Sequence, residues 1–158
     1  MTMTDRVDTG DKAPGFSMPT DSGGTTSLDA LGGKAVVLYF YPRDDTPGCT
    51  KEAIAFTGLI GDFRAAGAEV IGVSKDTVAK HDKFKAKYEL DVVLAADEDG
   101  SVCEAYGVWV EKNMYGKKSM GIERSTFLIG ADGTIARAWR KVKVPGHAEE
   151  VLEAVKAL

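Results

Sequence analysis

The run KAVVLYFYP, Lys34 to Pro42, is an almost unbroken series of β-branched, aromatic and aliphatic residues, and it constrains the fold more than any other stretch. A strand with one face in water alternates apolar and polar residues, whereas a strand covered on both faces reads as continuously apolar. The run therefore predicts a central strand. From Pro47 onward Ala53, Phe56, Leu59, Ile60 and Phe63 recur at helical spacing as far as Gly67, which predicts one amphipathic helix. EVIGVS reads as a second buried strand, TVAKHDKFKAKYEL as a lysine-rich helix with Val78, Phe84 and Tyr88 inward, and VVLAAD as a third strand. Strands separated by helices of this length need crossover connections, hence a largely parallel sheet covered by helices.

The pattern then changes. GIERSTFLIGADGTIARAWRKV holds two strand-like runs around Ala131-Asp132-Gly133, a hairpin turn signal that makes the end of the sheet antiparallel. GHAEEVLEAVKAL is a last helix with Val151, Leu152 and Val155 on one side, and PGFSMPTDSGGTTSLDAL reads as a small N-terminal β-hairpin. The sum is an α/β, thioredoxin-like fold: a central mixed β-sheet flanked by helices. The chain, residues 1–158, fits one such domain, with residues 1–8 expected to be flexible.

A net charge of −4 forces no basic face, so neither nucleic acid nor an anionic membrane is an expected partner. No stretch approaches the ~18 apolar residues of a membrane span, and the start lacks the pattern of a secretory signal, which predicts a cytoplasmic protein. Cys49 and Cys103 are too few for a disulfide framework, and with His81 and His147 they show no metal-ligand spacing. Neither a metal nor another cofactor is expected. Both histidines lie in Lys/Glu-rich helical surroundings and are expected to be solvated.

Cys49 directly follows Thr46-Pro47-Gly48, where the strand run gives way to the helical one. With Thr46 as N-cap, Pro47 is N1, Gly48 N2 and Cys49 N3. Unpaired N–H groups and the positive end of the helix dipole favour an anion there, so a thiolate gains on a thiol. The helix end supplies at most ~2 kcal/mol, and a charge-assisted hydrogen bond from an arginine would add about 1.5–3 kcal/mol. Arg43 in the same loop and Arg124 at the mouth of RSTFLI are the candidates, and Arg124 is the one expected.

PRDDTPGC fits the P-x-x-x-T-x-x-C motif of the peroxiredoxins, and TPGCTKEA resembles the peroxiredoxin Q, or bacterioferritin comigratory protein, branch. APGF, VVLYFYP, VIGVSKD, AYGVW and RSTFLI followed by DG extend the resemblance over nearly the whole chain. It implies a thiol peroxidase whose Cys49 attacks hydrogen peroxide or alkyl hydroperoxides and becomes sulfenic acid. It further implies that Thr46, the Cys49 N–H and Arg124 stabilise the departing oxygen, and that Pro42 shields the sulfur. Gly48, Glu52 and Arg43 would support them, Glu52 by orienting Arg124.

Many peroxiredoxin Q proteins carry a resolving cysteine where this chain has Ile54, and the following helix contains none. A one-cysteine cycle is expected, closed by thioredoxin or a low-molecular-weight thiol and run by a monomer or weak homodimer. Cys103 is the internal alternative as resolver, and a small apolar core residue otherwise. A disulfide oxidoreductase needs a C-x-x-C pair, which CTKE lacks. A non-enzymatic redox sensor or holdase using the same thiol is the other function compatible with these residues.

Overall fold

The computed structural model describes residues 7–158. The expected flexibility at the start falls, for residues 1–6, outside them. Val7 packs on the core, and its carbonyl accepts a 2.7 Å hydrogen bond from Arg140 Nη2. In chain order the elements are β1 (Ser17–Pro19), β2 (Thr25–Ser27), β3 (Ala35–Phe40), α1 (Pro47–Gly58), α2 (Ile60–Ala65), β4 (Ala68–Ser74), α3 (Val78–Tyr88), β5 (Val93–Ala96), α4 (Ser101–Ala105), β6 (Trp109–Met114), β7 (Lys117–Ile122), β8 (Ser125–Ile129), β9 (Ile135–Arg140) and α5 (His147–Lys156).

β3 is buried at every residue and sits in the middle of a five-stranded sheet of order β5-β4-β3-β8-β9. It pairs in parallel with β4, as β4 does with β5, and antiparallel with β8, which continues antiparallel into β9. The mixed sheet and its antiparallel end agree with the sequence pattern, as does the β1–β2 hairpin. Alternation along β3 divides the core in two. Ala35, Val37 and Tyr39 face α1, α2, α3 and α5, where Phe56, Phe63 and Phe84 fill the layer. Val36, Leu38 and Phe40 face α4, Met18 of β1 and the base of the β6–β7 hairpin. Burying each phenylalanine stabilises the layer by about 1.5–3 kcal/mol. Tyr39 lies opposite Gly72 on β4, where an added Cβ would stand 2.7 Å from the tyrosine ring.

Three elements differ from the sequence expectation, one of them the short helix α4, which the pattern did not announce. The single helix from Pro47 is two helices, broken at Leu59 (φ −110°, ψ 8°). Gly58 and Gly61 flank the break, and each glycine weakens helical continuity by about 1 kcal/mol against alanine. Residues 109–122 form a separate two-stranded hairpin that the pattern did not announce. Its turn takes positive φ at both Tyr115 and Gly116 (54° and 78°), the type I′ geometry that asparagine-glycine normally signals. No helix among the described residues is long and apolar enough to cross a membrane.

Candidate active site

The site grows out of the end of β3. Thr46 has the extended backbone of an N-cap (φ −102°, ψ 155°), Pro47 follows at the first helical position, and the Thr50 N–H donates to the Thr46 carbonyl at 2.8 Å. The Thr46 hydroxyl, however, does not cap the helix. It donates to the Arg43 carbonyl at 2.9 Å, so at rest its one proton is committed to that carbonyl. Cys49, one turn in, is 2% exposed, and Glu52, three residues on along the same helix face, is 1% exposed.

Arg124 reaches both from far along the chain. Because β8 runs antiparallel to β3 with Ser125 opposite Phe40, the residue before β8 emerges where β3 ends and the loop to α1 begins. Arg124 Nη2 donates to Cys49 Sγ at 3.3 Å, and Nη1 donates to Glu52 Oε1 at 2.6 Å. The Arg124 side chain is 17% exposed. Burial works against its charge, but Glu52 and then Cys49 more than offset it and raise its pKa. Burial pushes the Glu52 carboxyl up to about 7, against the downward pull of Arg124. Gly48 admits this arrangement by lacking a side chain, since a Cβ there would crowd Arg124 Nη2 at 3.2 Å.

The loop is held from its other side. Asp44 is buried, and its carboxylate accepts the Tyr41 hydroxyl and bonds His81 Nδ1 on α3 at 2.6 Å. Asp45 adopts positive φ (60°), and its carboxylate accepts from Lys87 Nζ at 2.8 Å and the Tyr88 hydroxyl at 2.6 Å. Pro42 and Arg43 are exposed, and Arg43 lines a cavity of about 360 Å³ with Lys80, Lys83 and Lys87 on the α3 side of the loop. The guanidinium on the sulfur is that of Arg124.

Both histidines correct the expectation that they are solvated. His81 is 0% exposed; His147 is also buried, with Nε2 2.8 Å from Thr126 Oγ1 and its ring edge-on to Phe56 and Trp139. Burial pushes His147 down to about 4, and the nearby Arg124 adds to that. Each sits one helical repeat from an apolar residue that faces the core, Phe84 and Val151 respectively, and this register was the available signal. Lys112 is a further cation that no local motif announces. β6 carries it half-buried across Gly121, and burial first, then Arg124, lower its pKa while Cys49 and Glu123 oppose.

Cys103 lies on the opposite face of the sheet from Cys49 and is 0% exposed. Burial, then the bond to Asp97, push its thiol far up. Ile54 is 47% exposed on α1. Among the described residues no group of three His, Cys, Asp or Glu is arranged to hold a metal ion.

Residues 9–138 match the AhpC/TSA family. The chain is 52% identical over 144 residues to peroxiredoxin Bcp of Xanthomonas campestris pv. campestris, covering 90% of each chain. It is 46% identical to peroxiredoxin Bcp of Bacillus subtilis, covering 95% of this chain and 96% of that one. A solved structure of the Xanthomonas campestris bacterioferritin comigratory protein, reported for its alkyl peroxide reduction activity and trapped intermediate and ligand complexes, superimposes with a TM-score of 0.86. It is 48% identical to this chain and covers 90% of both.

Proposed function

Because the chain belongs to the AhpC/TSA family, in its peroxiredoxin Bcp branch, and is a thiol peroxidase, we propose that Cys49 is its peroxide-reducing thiol, that Arg124 and the Cys49 N–H form its transition-state donors, and that the Thr46 hydroxyl, its proton committed to the Arg43 carbonyl, accepts the O–H of the peroxide on a lone pair. The observation that carries this reading is the guanidinium of Arg124 spanning the sulfur at 3.3 Å and Glu52 at 2.6 Å. A fixed cation and a helix start facing one sulfur favour the thiolate, which is the nucleophile.

The thiolate attacks one oxygen of hydrogen peroxide or an alkyl hydroperoxide. An S–O bond forms, the O–O bond breaks with its electron pair on the departing oxygen, and a proton converts that oxygen to water or alcohol. Sulfur is oxidised to sulfenic acid as the peroxide is reduced. Negative charge develops on the departing oxygen, so donors already in place lower the barrier. Glu52 acts as a positioning residue by holding the second arm of Arg124. Pro42 contributes to the wall of the site without offering an N–H of its own.

The sulfenic acid is resolved from outside the chain. Ile54 occupies the usual resolving position, and a disulfide needs Cα atoms within about 7 Å, while Cys103 lies across the sheet. An external thiol, thioredoxin or a small one, attacks the sulfenic sulfur and releases water, and a second thiol returns Cys49 to its reduced form. The chain acts as a monomer or weak homodimer.

One equivalent of peroxide followed by a sulfenic-acid reagent should label Cys49, and candidate reductants tested side by side should restore the thiol and sustain turnover. Stoichiometric oxidation without turnover under every thiol would favour the sensor or holdase reading. Peroxide consumption that survives Cys49→Ser would overturn the assignment.

A further inference from the structure

We propose that His81 is a positioning residue for the peroxidase reaction, fastening the loop that carries Thr46 to α3 through Asp44. The inference rests on the reading of Cys49 and Thr46 above and adds a residue on the far side of the loop.

The ring is enclosed and bonded at both nitrogens. Nε2 lies 2.9 Å from the Ala95 carbonyl on β5, which can only accept, so Nε2 carries a proton. Nδ1 lies 2.6 Å from Asp44 Oδ2, while the other Asp44 oxygen already accepts the Tyr41 hydroxyl. With Asp44 ionised, Nδ1 donates as well and the ring is an imidazolium. The Asp44 backbone is held too, its N–H donating at 2.8 Å to Asp76 Oδ2, which also accepts the Ser74 hydroxyl at 2.7 Å. Asp44 therefore has no slack, and Thr46 stands two residues further along the same loop.

A buried ion pair is a poor source of stability, because apolar residues of similar volume often do as well. It does fix a geometry, since breaking it leaves a buried charge without a partner. The charged and titratable groups around the ring are Asp44 from the loop, Tyr41 at the end of β3 and Asp76 after β4. On α3 itself Lys80 and Lys83 line the outer cavity, and Lys85 is tied to Asp21 at 2.7 Å. Burial opposes the charged ring, but the Asp44 hydrogen bond and charge outweigh it, with smaller help from Ala95 and Asp76, so His81 keeps its proton above the ordinary histidine range. The pair is therefore closed below that raised value. As pH rises through the raised value the ring gives up one proton, a lone pair then faces either the Asp44 carboxylate or the Ala95 carbonyl, and one of the two anchors of the ring opens.

The test uses the whole chain. The sequence has two histidines, His147 is pushed down to about 4 and His81 is raised, so nitrogen NMR of histidine-labelled protein resolves the two titrations on opposite sides of the ordinary histidine value. Stopped-flow peroxide oxidation of Cys49 should decline on the alkaline side with the midpoint of His81. His81→Leu should slow that oxidation by about 10- to 100-fold, the scale of a small displacement of a catalytic group. His81→Gln, which keeps one donor, should recover part of the loss and lack the alkaline decline. Iodoacetamide alkylation of Cys49, which needs the thiolate but no departing-oxygen donors, should be unchanged in both. Wild-type peroxide rates in the Gln variant, alkylation falling in step with peroxidation, or an alkaline decline that persists in the Gln variant would each overturn the proposal. Should the Leu variant not fold, the Gln variant and the wild-type titration decide. Cys49→Ser serves as control, because peroxide consumption there would sink the Cys49 reading itself, whatever His81 does.

Discussion

Cys49 and Cys103 are each the third residue of a helix, α1 and α4, and each is buried to 2% or less. At α1 a guanidinium lies on the sulfur. At α4 the Asp97 carboxylate accepts the Val102 and Cys103 N–H groups at 3.2 and 2.8 Å, so the helix start is already occupied by an anion beside the thiol. One thiol faces a cation and the other a carboxylate, and burial then amplifies the difference because it weakens screening. A helix start makes a thiol reactive only when what fills its donors leaves room for the thiolate.

The two cysteines can be separated most sharply by deletion. Cys49→Ser should abolish peroxide consumption, while Cys103→Ser should leave the first turnover intact, both read as peroxide loss per protein. Removing the favourable charge comes next. Arg124→Ala should slow Cys49 oxidation by about 10²–10³-fold, the usual cost of losing one transition-state donor, and Thr46→Val, which loses the lone pair that orients the peroxide, should slow it as well, both measured by stopped flow. A smaller but cleaner contrast is covalent. After one equivalent of peroxide, non-reducing mass spectrometry should find oxidised Cys49 and no Cys49–Cys103 bond, and an intrachain disulfide would break the comparison.

The smallest effects concern stability on the Cys49 face. His147 falls from an ordinary 6.5 to about 4, so the unfolded chain binds more protons between these values and stability is lost as pH falls through them. Glu52 rises from 4.5 to about 7, so the folded chain binds more protons and stability declines as pH rises through that window. The trends oppose. Urea midpoints of Glu52→Gln should rise with pH more steeply than wild type between pH 4.5 and 6.5, and those of His147→Gln should fall.

The strands, the antiparallel end and the Thr-Pro start of α1 were legible because strand and helix periods and cap chemistry are properties of neighbouring residues. The pairing of Arg124 with Cys49 was expected from an arginine at the mouth of the apolar RSTFLI strand, and its link to Glu52 from the family resemblance. The break at Leu59 was missed because the apolar spacing runs through it while the glycines act on the backbone. The β6–β7 hairpin was missed because Tyr-Gly replaces the expected turn pair. His81 and His147 were misread since a helix rich in lysine or glutamate looks solvated on every face until a sheet covers one of them.

By itself the sequence determined the five strands of the central sheet and most of the helical segments, and that one thiol stands at a helix start within a recognisable motif. Only the tertiary structure decided what each thiol faces. Strand order sets β8 beside β3 and delivers a guanidinium from 75 positions away, and the two-residue alternation of β3 puts a sheet between the two sulfurs. Local preferences act over a few residues, whereas the electrostatics of a buried group is set by whichever side chains the packing brings within a few ångströms.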